Sequence, residues 1–248
     1  MEGLSAGDYV RQRISPTPGD IFYLHLSDLL IAIKSLIPAD RSRVLDYGCG
    51  GSPYRTLFDP CTYHRADLVE GSSNIDFQYG ADALLPREAE NYDCVLSTQV
   101  LEHVQSPPTY LKECYRVLRP GGSLLLTTHG AFEDHACPHD YWRWTAFGLQ
   151  QLVEACGMKV RKLKKLTTGP RGILFLGERE MHRLRFDGAG AYGRCLSYGI
   201  RIVQRLGTRR MHNASDKSFA GNRVVDANES GHDIYVAIAL LANREDGP

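Results

Sequence analysis

The chain has 248 residues, 43% of them hydrophobic, and its 29 basic and 29 acidic side chains give a formal net charge of zero. That apolar content excludes an intrinsically disordered chain. The zero balance excludes a whole-chain electrostatic grip on nucleic acid. Seven cysteines, an odd number with no CxxC pair, read as reduced thiols and not as a disulfide framework or zinc ribbon. The N-terminus has no apolar signal core and no stretch is apolar enough to span a bilayer, so a cytoplasmic, soluble protein is expected.

Residues 1–19 read as a polar arm ending in "SPTPGD". Asp20 is placed to cap a helix over 21–37, which Pro38 stops. Strands follow at 43–48, 62–69, 75–80 and 92–99. A helix over about 107–118 starts at proline and ends at "RPGG". A fifth strand at 123–129, a capped helix at 145–157, a sixth strand at 158–167 and a seventh at 233–243 complete the pattern. Between the last two strands lie two helices, about 172–186 and 190–206, and a polar loop. Strands alternating with helices predict a Rossmann-like α/β fold with a mostly parallel sheet covered on both faces. The chain divides into an arm and helix (1–38), a core (39–167), a basic helical insertion (168–232), and a last strand with a tail (233–248).

The stretch "VLDYGCGGSPYRTLF", residues 44–58, brings glycines together at the end of the first strand. In open α/β sheets that is where ligands sit. Gly48 and Gly50 let backbone pass close under a ligand, and a helix start beyond the turn favours a negative group. No GKS or GKT follows, so a nucleoside triphosphate loop is not expected. Asp67, at the end of the second strand, can accept hydrogen bonds from both ribose hydroxyls. Asp82, in "GADALLP", follows the third strand, within reach of an adenine amino group. "YDCVLSTQVLEHV" and "VLRPGGSLLLTT" come next.

With these four ordered motifs, residues 44 to about 160 resemble the class I S-adenosylmethionine-dependent methyltransferases, and most closely the group carrying "LEHV" and "RVLRPGG". The resemblance implies a seven-stranded sheet with the last strand antiparallel. It also implies S-adenosyl-L-methionine as cofactor and S-adenosyl-L-homocysteine as product. By the same resemblance Asp46, Gly48, Cys49 and Gly50 face the methionyl part, Asp67 binds the ribose, and Leu68 packs on adenine. Asp82 and Ala83 meet the adenine edge, and Thr98 and Gln99 close over the cofactor. This chain departs from the family pattern at Ser52, which replaces a glycine, and Tyr54 is then expected at the methionyl end.

Methyl transfer to a hydroxyl needs a base, and histidine suits proton removal near neutrality. The loop "THGAFEDHACPHDYWRWT", residues 128–145, follows the fifth strand and holds His139, the favoured base, with His129 second. His103 of "LEHV" is a third candidate. His135, Asp140, Tyr141, Trp142 and Arg143 are expected at the acceptor pocket; the alternative reading makes the tryptophans core anchors and pairs Asp140 with Arg143. His129, His135, Cys137 and His139 offer metal-ligand types, but no helix fixes their spacing and no metal is expected.

Residues 161–211 carry thirteen Lys/Arg against three Asp/Glu. This basic insertion reads as a cap, a dimer surface, a lid for an anionic or lipid-linked acceptor, or a site of peripheral membrane contact. "STQV" stands where base-flipping amino-methylases carry Asn-Pro-Pro-Tyr, so a nucleic-acid acceptor is not expected. The reading is methylation, on oxygen, of a small-molecule or glycan-type acceptor. The alternatives are a quinone-type C-methyltransferase and a non-catalytic cofactor-binding module.

Overall fold

The computed structural model describes every residue except 1–4, 40, 69–74, 81, 87–90, 136–138, 185–189, 230, 232–233 and 246–248. Helices α1 (Ala6–Ile14) and α2 (Tyr23–Leu36) precede β1 (Arg43–Tyr47), β2 (Thr62–Asp67), β3 (Phe77–Gln78) and β4 (Tyr92–Thr98). Then come α3 (Pro107–Val117), β5 (Leu118–His129), α4 (Ala146–Ala155) and β6 (Met158–Thr168). The chain ends with α5 (Gly169–Arg183), α6 (Gly190–Ser218), β7 (Val224–Asp226) and β8 (Tyr235–Arg244).

The strands form one sheet in the order β3-β2-β1-β4-β5-β8-β6-β7. Pairings from β3 to β5 are parallel, and β8 lies antiparallel between β5 and β6. The order reverses between β1 and β4, where Leu45 pairs with Val95. Side chains alternate across the sheet, as a strand period of two requires. Leu45, Tyr47, Val95, Leu124 and Leu126 pack beneath Tyr110, Leu111, Leu149 and Val153 of α3 and α4. Val44, Cys94, Leu96 and Leu125 pack on the other face beneath Leu29, Ile33 and Leu36 of α2. Each buried leucine contributes on the order of 2 kcal/mol.

Four features differ from the sequence reading. The N-terminal arm contains a helix, α1, whose start is capped by Ser5. Asp20 does not cap α2; Phe22 holds that position, while the Asp20 carboxylate takes both Arg11 guanidinium nitrogens at 2.9 and 3.1 Å. The glycine turn does not run into an α-helix but into one 3₁₀ turn, Arg55–Phe58. Pro53 and Pro60 bracket that segment, and the residue before a proline is driven out of the helical region. Its Tyr54 and Phe58 pack into the cluster formed by α2, so α2 covers that side of the sheet. Finally, the sheet has eight strands, because the polar loop after α6 supplies the edge strand β7, with Leu166 opposite Val224.

Helix α6 also runs to Ser218, well past Gly207. What holds its polar end is not an apolar stripe. His212 and Ser215 are buried there, His212 Nε2 lies 2.9 Å from Glu178 of α5, and Arg171 donates to Ser215 and Asp216.

Candidate active site

The crevice at the strand-order reversal is bounded by the turn after β1 and the turn after β4. Gly48 has φ +78°, and a Cβ there would stand 2.6 Å from Val100 Cγ2. Only glycine lets the two turns approach this closely. Gly50 is also left-handed, at φ +48°. Ser52, Ala83 and Gln99 adopt positive φ as well, at the ends of β1, β3 and β4. Strained backbone of this kind costs about 1–3 kcal/mol per residue and gathers where ligands are held.

The Gly48 and Cys49 amides donate to the Ala66 carbonyl, so the turn is folded back onto the end of β2. There Asp67 accepts from the Gly50 amide at 2.6 Å and the Leu68 amide at 2.7 Å. The Cys49 thiol also donates to this carboxylate at 3.7 Å. A carboxylate has about four acceptor positions, so capacity remains for a hydroxyl donor. Leu68 is exposed beside it. Asp46 is buried and accepts from the Tyr63 phenol at 2.7 Å. Burial pushes its carboxyl up to about 7. Burial, with Asp46 and Asp67 nearby, pushes the Cys49 thiol up to about 12, so it stays protonated and is no nucleophile.

Asp82 is exposed and accepts from the Leu84 amide at 3.2 Å, while buried Ala83 takes the Tyr47 hydroxyl on its carbonyl. Thr98 closes β4, paired with Thr127 of β5. Gln99 donates to the Thr127 hydroxyl at 3.2 Å. Its Oε1 and the hydroxyl of buried Tyr54 have no hydrogen-bond partner among the described residues. Unpaired buried polar atoms are costly. Beside a close-packed glycine turn and three acids, they fit a polar ligand such as an adenosyl amino acid.

On the far side of the crevice stands a cluster of imidazoles and phenyl rings. His129, at the end of β5, is buried, stacks on Phe132 with centroids 3.8 Å apart, and lies 5.7 Å from His25 of α2 and 5.0 Å from His135. Its Nε2 is 3.2 Å from Glu102 Oε1. Glu102 is buried and accepts from the Thr128 hydroxyl at 2.7 Å; burial pushes its carboxyl up to about 7. Burial, reinforced by His25 and His135, holds His129 well below the ordinary imidazole range. Nδ1 of His129 has no partner among the described residues. Next to this cluster, a cleft of about 270 Å³ is lined by Phe132, Glu133, Phe175, Leu176 and Arg179.

The remaining loop residues fall into two groups. Asp140 and Arg143 face each other at 2.6 Å, and Arg143 also donates to the carbonyls of Phe132 and Glu133. Burial tends to raise the Asp140 carboxyl, but Arg143 holds it at about 2. This pair braces the loop and is the alternative that the sequence leaves open. Tyr141 and Trp142 are exposed, their amides bonded to the Glu102 carbonyl. His103 contacts the His139 carbonyl through Nδ1 at 2.7 Å, and burial lowers its pKa. The His139 ring is exposed beside Tyr141. Of the metal-ligand types noted in the sequence, Cys137 lies outside the described residues. Glu102, His103 and His135 instead bring one ligand atom each within 4.8 Å of one another.

Sequence reasoning missed His25, Phe132 and Phe175, which lie far apart in the chain. His25 sits in an apolar helix, where a lone histidine reads as core. Glu102 carries a signal in the sequence, its place beside His103 in the "LEHV" motif.

Sheet order, glycine turn and placed acids define a class I S-adenosylmethionine-dependent methyltransferase. Residues 24–163 match the family model described as a methyltransferase domain, and the chain belongs to that family. The ubiquinone biosynthesis O-methyltransferase of Dinoroseobacter shibae is 34% identical over 113 residues, which is 39% of this chain and 44% of that one. The chain thus spans less than half the length of that curated relative. Among solved structures, a Thermotoga maritima SAM-dependent methyltransferase superposes with a TM-score of 0.54 at 15% identity, covering 96% of this chain and 95% of that one. The [4+2]-cyclase SpnF superposes at 0.53 and 17% identity, covering 92% and 85%. At such identities the likeness is one of fold alone, and the second case shows that this fold also carries other chemistry.

Proposed function

We propose that this protein methylates a hydroxyl of a small-molecule acceptor, a ring phenol of the kind a quinone precursor carries. The observation that carries this reading is the imidazole of His129 at the end of β5, held neutral by burial, 3.2 Å from Glu102 and with Nδ1 unpartnered among the described residues. The names of the curated relatives support it.

Bound S-adenosylmethionine supplies an activated methyl on a sulfonium. Asp67 takes the ribose hydroxyls, Leu68 covers one face of the adenine, and Asp82 with Ala83 meets its edge. Asp46, Gly48, Cys49, Gly50 and Tyr54 line the methionyl tail. Asp46, near neutrality without a cation, ionises beside an ammonium. Thr98 and Gln99 close the crevice. His129 would accept the acceptor's hydroxyl proton as the methyl passes to oxygen and its bond to sulfur breaks, releasing S-adenosylhomocysteine, and Glu102 would stabilise the imidazolium. Geometry favours His129, buried at the end of β5 beside the Glu102 carboxyl, over exposed His139 and over His103, whose Nδ1 meets a backbone carbonyl and not a carboxylate. Phe132 and His25 suit a flat ring better than a glycan.

The insertion supports an apolar or lipid-linked acceptor. Ile173 (63% exposed) and Met181 on α5, with Leu184 just past its end, are exposed apolar side chains in a basic segment. No described helix is long and apolar enough to cross a membrane, and we place the protein in the cytoplasm with any membrane contact peripheral.

Labelled-methyl transfer to a panel of phenols and catechols tests the reading. His129→Ala should lower turnover by about 10²-fold or more while S-adenosylhomocysteine affinity persists. Full activity in that variant would remove His129 as the base.

A further inference from the structure

Helix α1 lies outside the residues that match the family model, yet it reaches the glycine turn. The Tyr9 ring packs on the outside of that turn. A Cβ on Gly51 would stand 3.3 Å from Tyr9 Cε1, and one on Gly50 would stand 3.6 Å from the Tyr9 hydroxyl. Gly51 is not left-handed, so backbone conformation does not demand glycine there. A Cβ there would crowd the Tyr9 ring by a few tenths of an ångström, so ring and turn are in close contact.

One helical turn further on, Arg13 lays its guanidinium on the Tyr9 ring, 3.6 Å from the centroid. Residues four apart on a helix share a face. The Arg13 charge is felt at Tyr54, on the turn side, and at His25, in the ring cluster. Stacked on Tyr9, the guanidinium is carried to the side of the Gly50–Gly51 turn. Tyr54 is buried there with its hydroxyl unpartnered among the described residues.

The charge inventory gives this position a purpose. Asp46, Asp67 and Asp82 suit an ammonium, ribose hydroxyls and an adenine amine. The methionyl tail also carries a carboxylate, which those acids repel and a guanidinium recognises through paired N–H donors. We propose that α1 is part of the cofactor site, with Tyr9 closing the glycine turn from outside and Arg13 binding the methionyl carboxylate. Helix α1 is held to the body through the Arg11–Asp20 ion pair, which fixes the height at which Tyr9 and Arg13 meet the turn.

The proposal rests on the cofactor assignment, and a pair of ligands separates the two. S-adenosylhomocysteine carries the amino-acid tail; 5′-methylthioadenosine keeps the nucleoside and lacks the carboxylate. Calorimetry on the full chain should show Arg13→Gln binding S-adenosylhomocysteine at least tenfold more weakly and methylthioadenosine within twofold of wild type. Arg13→Lys, which keeps the charge, should recover part of the loss. Tyr9→Ala should weaken S-adenosylhomocysteine and Tyr9→Phe should not. Unchanged affinity in Arg13→Gln and Arg13→Lys, or an equal loss for both ligands, overturns the role of Arg13 while leaving the cofactor assignment standing. Absence of binding by the wild-type chain would remove both.

Discussion

His25 shows how a single buried side chain ties the site to stability. Burial first, then the charge of Arg13 and the neighbouring His135, lowers its pKa to about 3. The unfolded chain takes up a proton near pH 6.5, which the folded chain refuses. Its contribution is therefore complete above about pH 6.5 and shrinks as pH falls towards 3. His25→Phe keeps a ring between Phe132 and Phe175 and removes the proton acceptor. Urea unfolding should show a gain of about 2 kcal/mol for the variant at pH 5 relative to its difference from wild type at pH 8. The same difference at both pH values would contradict the burial argument. Such a residue is hard to foresee, because its neighbours come from α5 and the loop after β5. Asp46, Asp67 and Asp82 are easier to single out, because they stand in β1, at the end of β2 and after β3, next to short motifs that the sequence displays.

At the scale of elements, a buried charge network joins the insertion to the core beside the apolar contact of Phe175 with Leu24 and Val236. Arg171 of α5 and Asp28 of α2 are both fully buried, 2.7 Å apart. Asp28 also takes Arg223 at 2.8 Å and the Thr167 hydroxyl at 3.0 Å, while Arg171 reaches Asp216 at 2.9 Å. Removing one member of such a network leaves a buried charge uncompensated. Arg171→Met should cost about 3–5 kcal/mol in chemical denaturation and speed hydrogen exchange in the last turns of α6. A loss under 1 kcal/mol would show that apolar contacts hold the insertion. The same network explains why α6 outran the sequence reading. Its polar half looks like loop until Asp28 and Glu178, both distant in sequence, are placed beside it. Helix α1 was overlooked for a related reason: its nine residues (Ala6–Ile14) are too few to show a convincing apolar face, and what they dock against is a glycine turn. The core strands and α2, α3 and α4 were legible because each carries its own apolar pattern and stop signals.

For the whole molecule, the strand order gathers the candidate cofactor contacts of the core at the C-terminal ends of the parallel strands. Turns after β1, β2, β3 and β4 supply the adenosyl-binding acids and glycines, and the end of β5 supplies His129. The acceptor side depends on elements from opposite ends of the chain, α2 and α5, so it was the less legible half. The account stands on the cofactor grip. Calorimetric titration of the full chain with S-adenosylhomocysteine, in parallel with Asp67→Ala, tests it most directly. Saturable one-to-one binding by wild type and at least tenfold weaker binding by the variant, roughly 1.4 kcal/mol, are predicted. No heat from wild type, or undiminished affinity in Asp67→Ala, would contradict it.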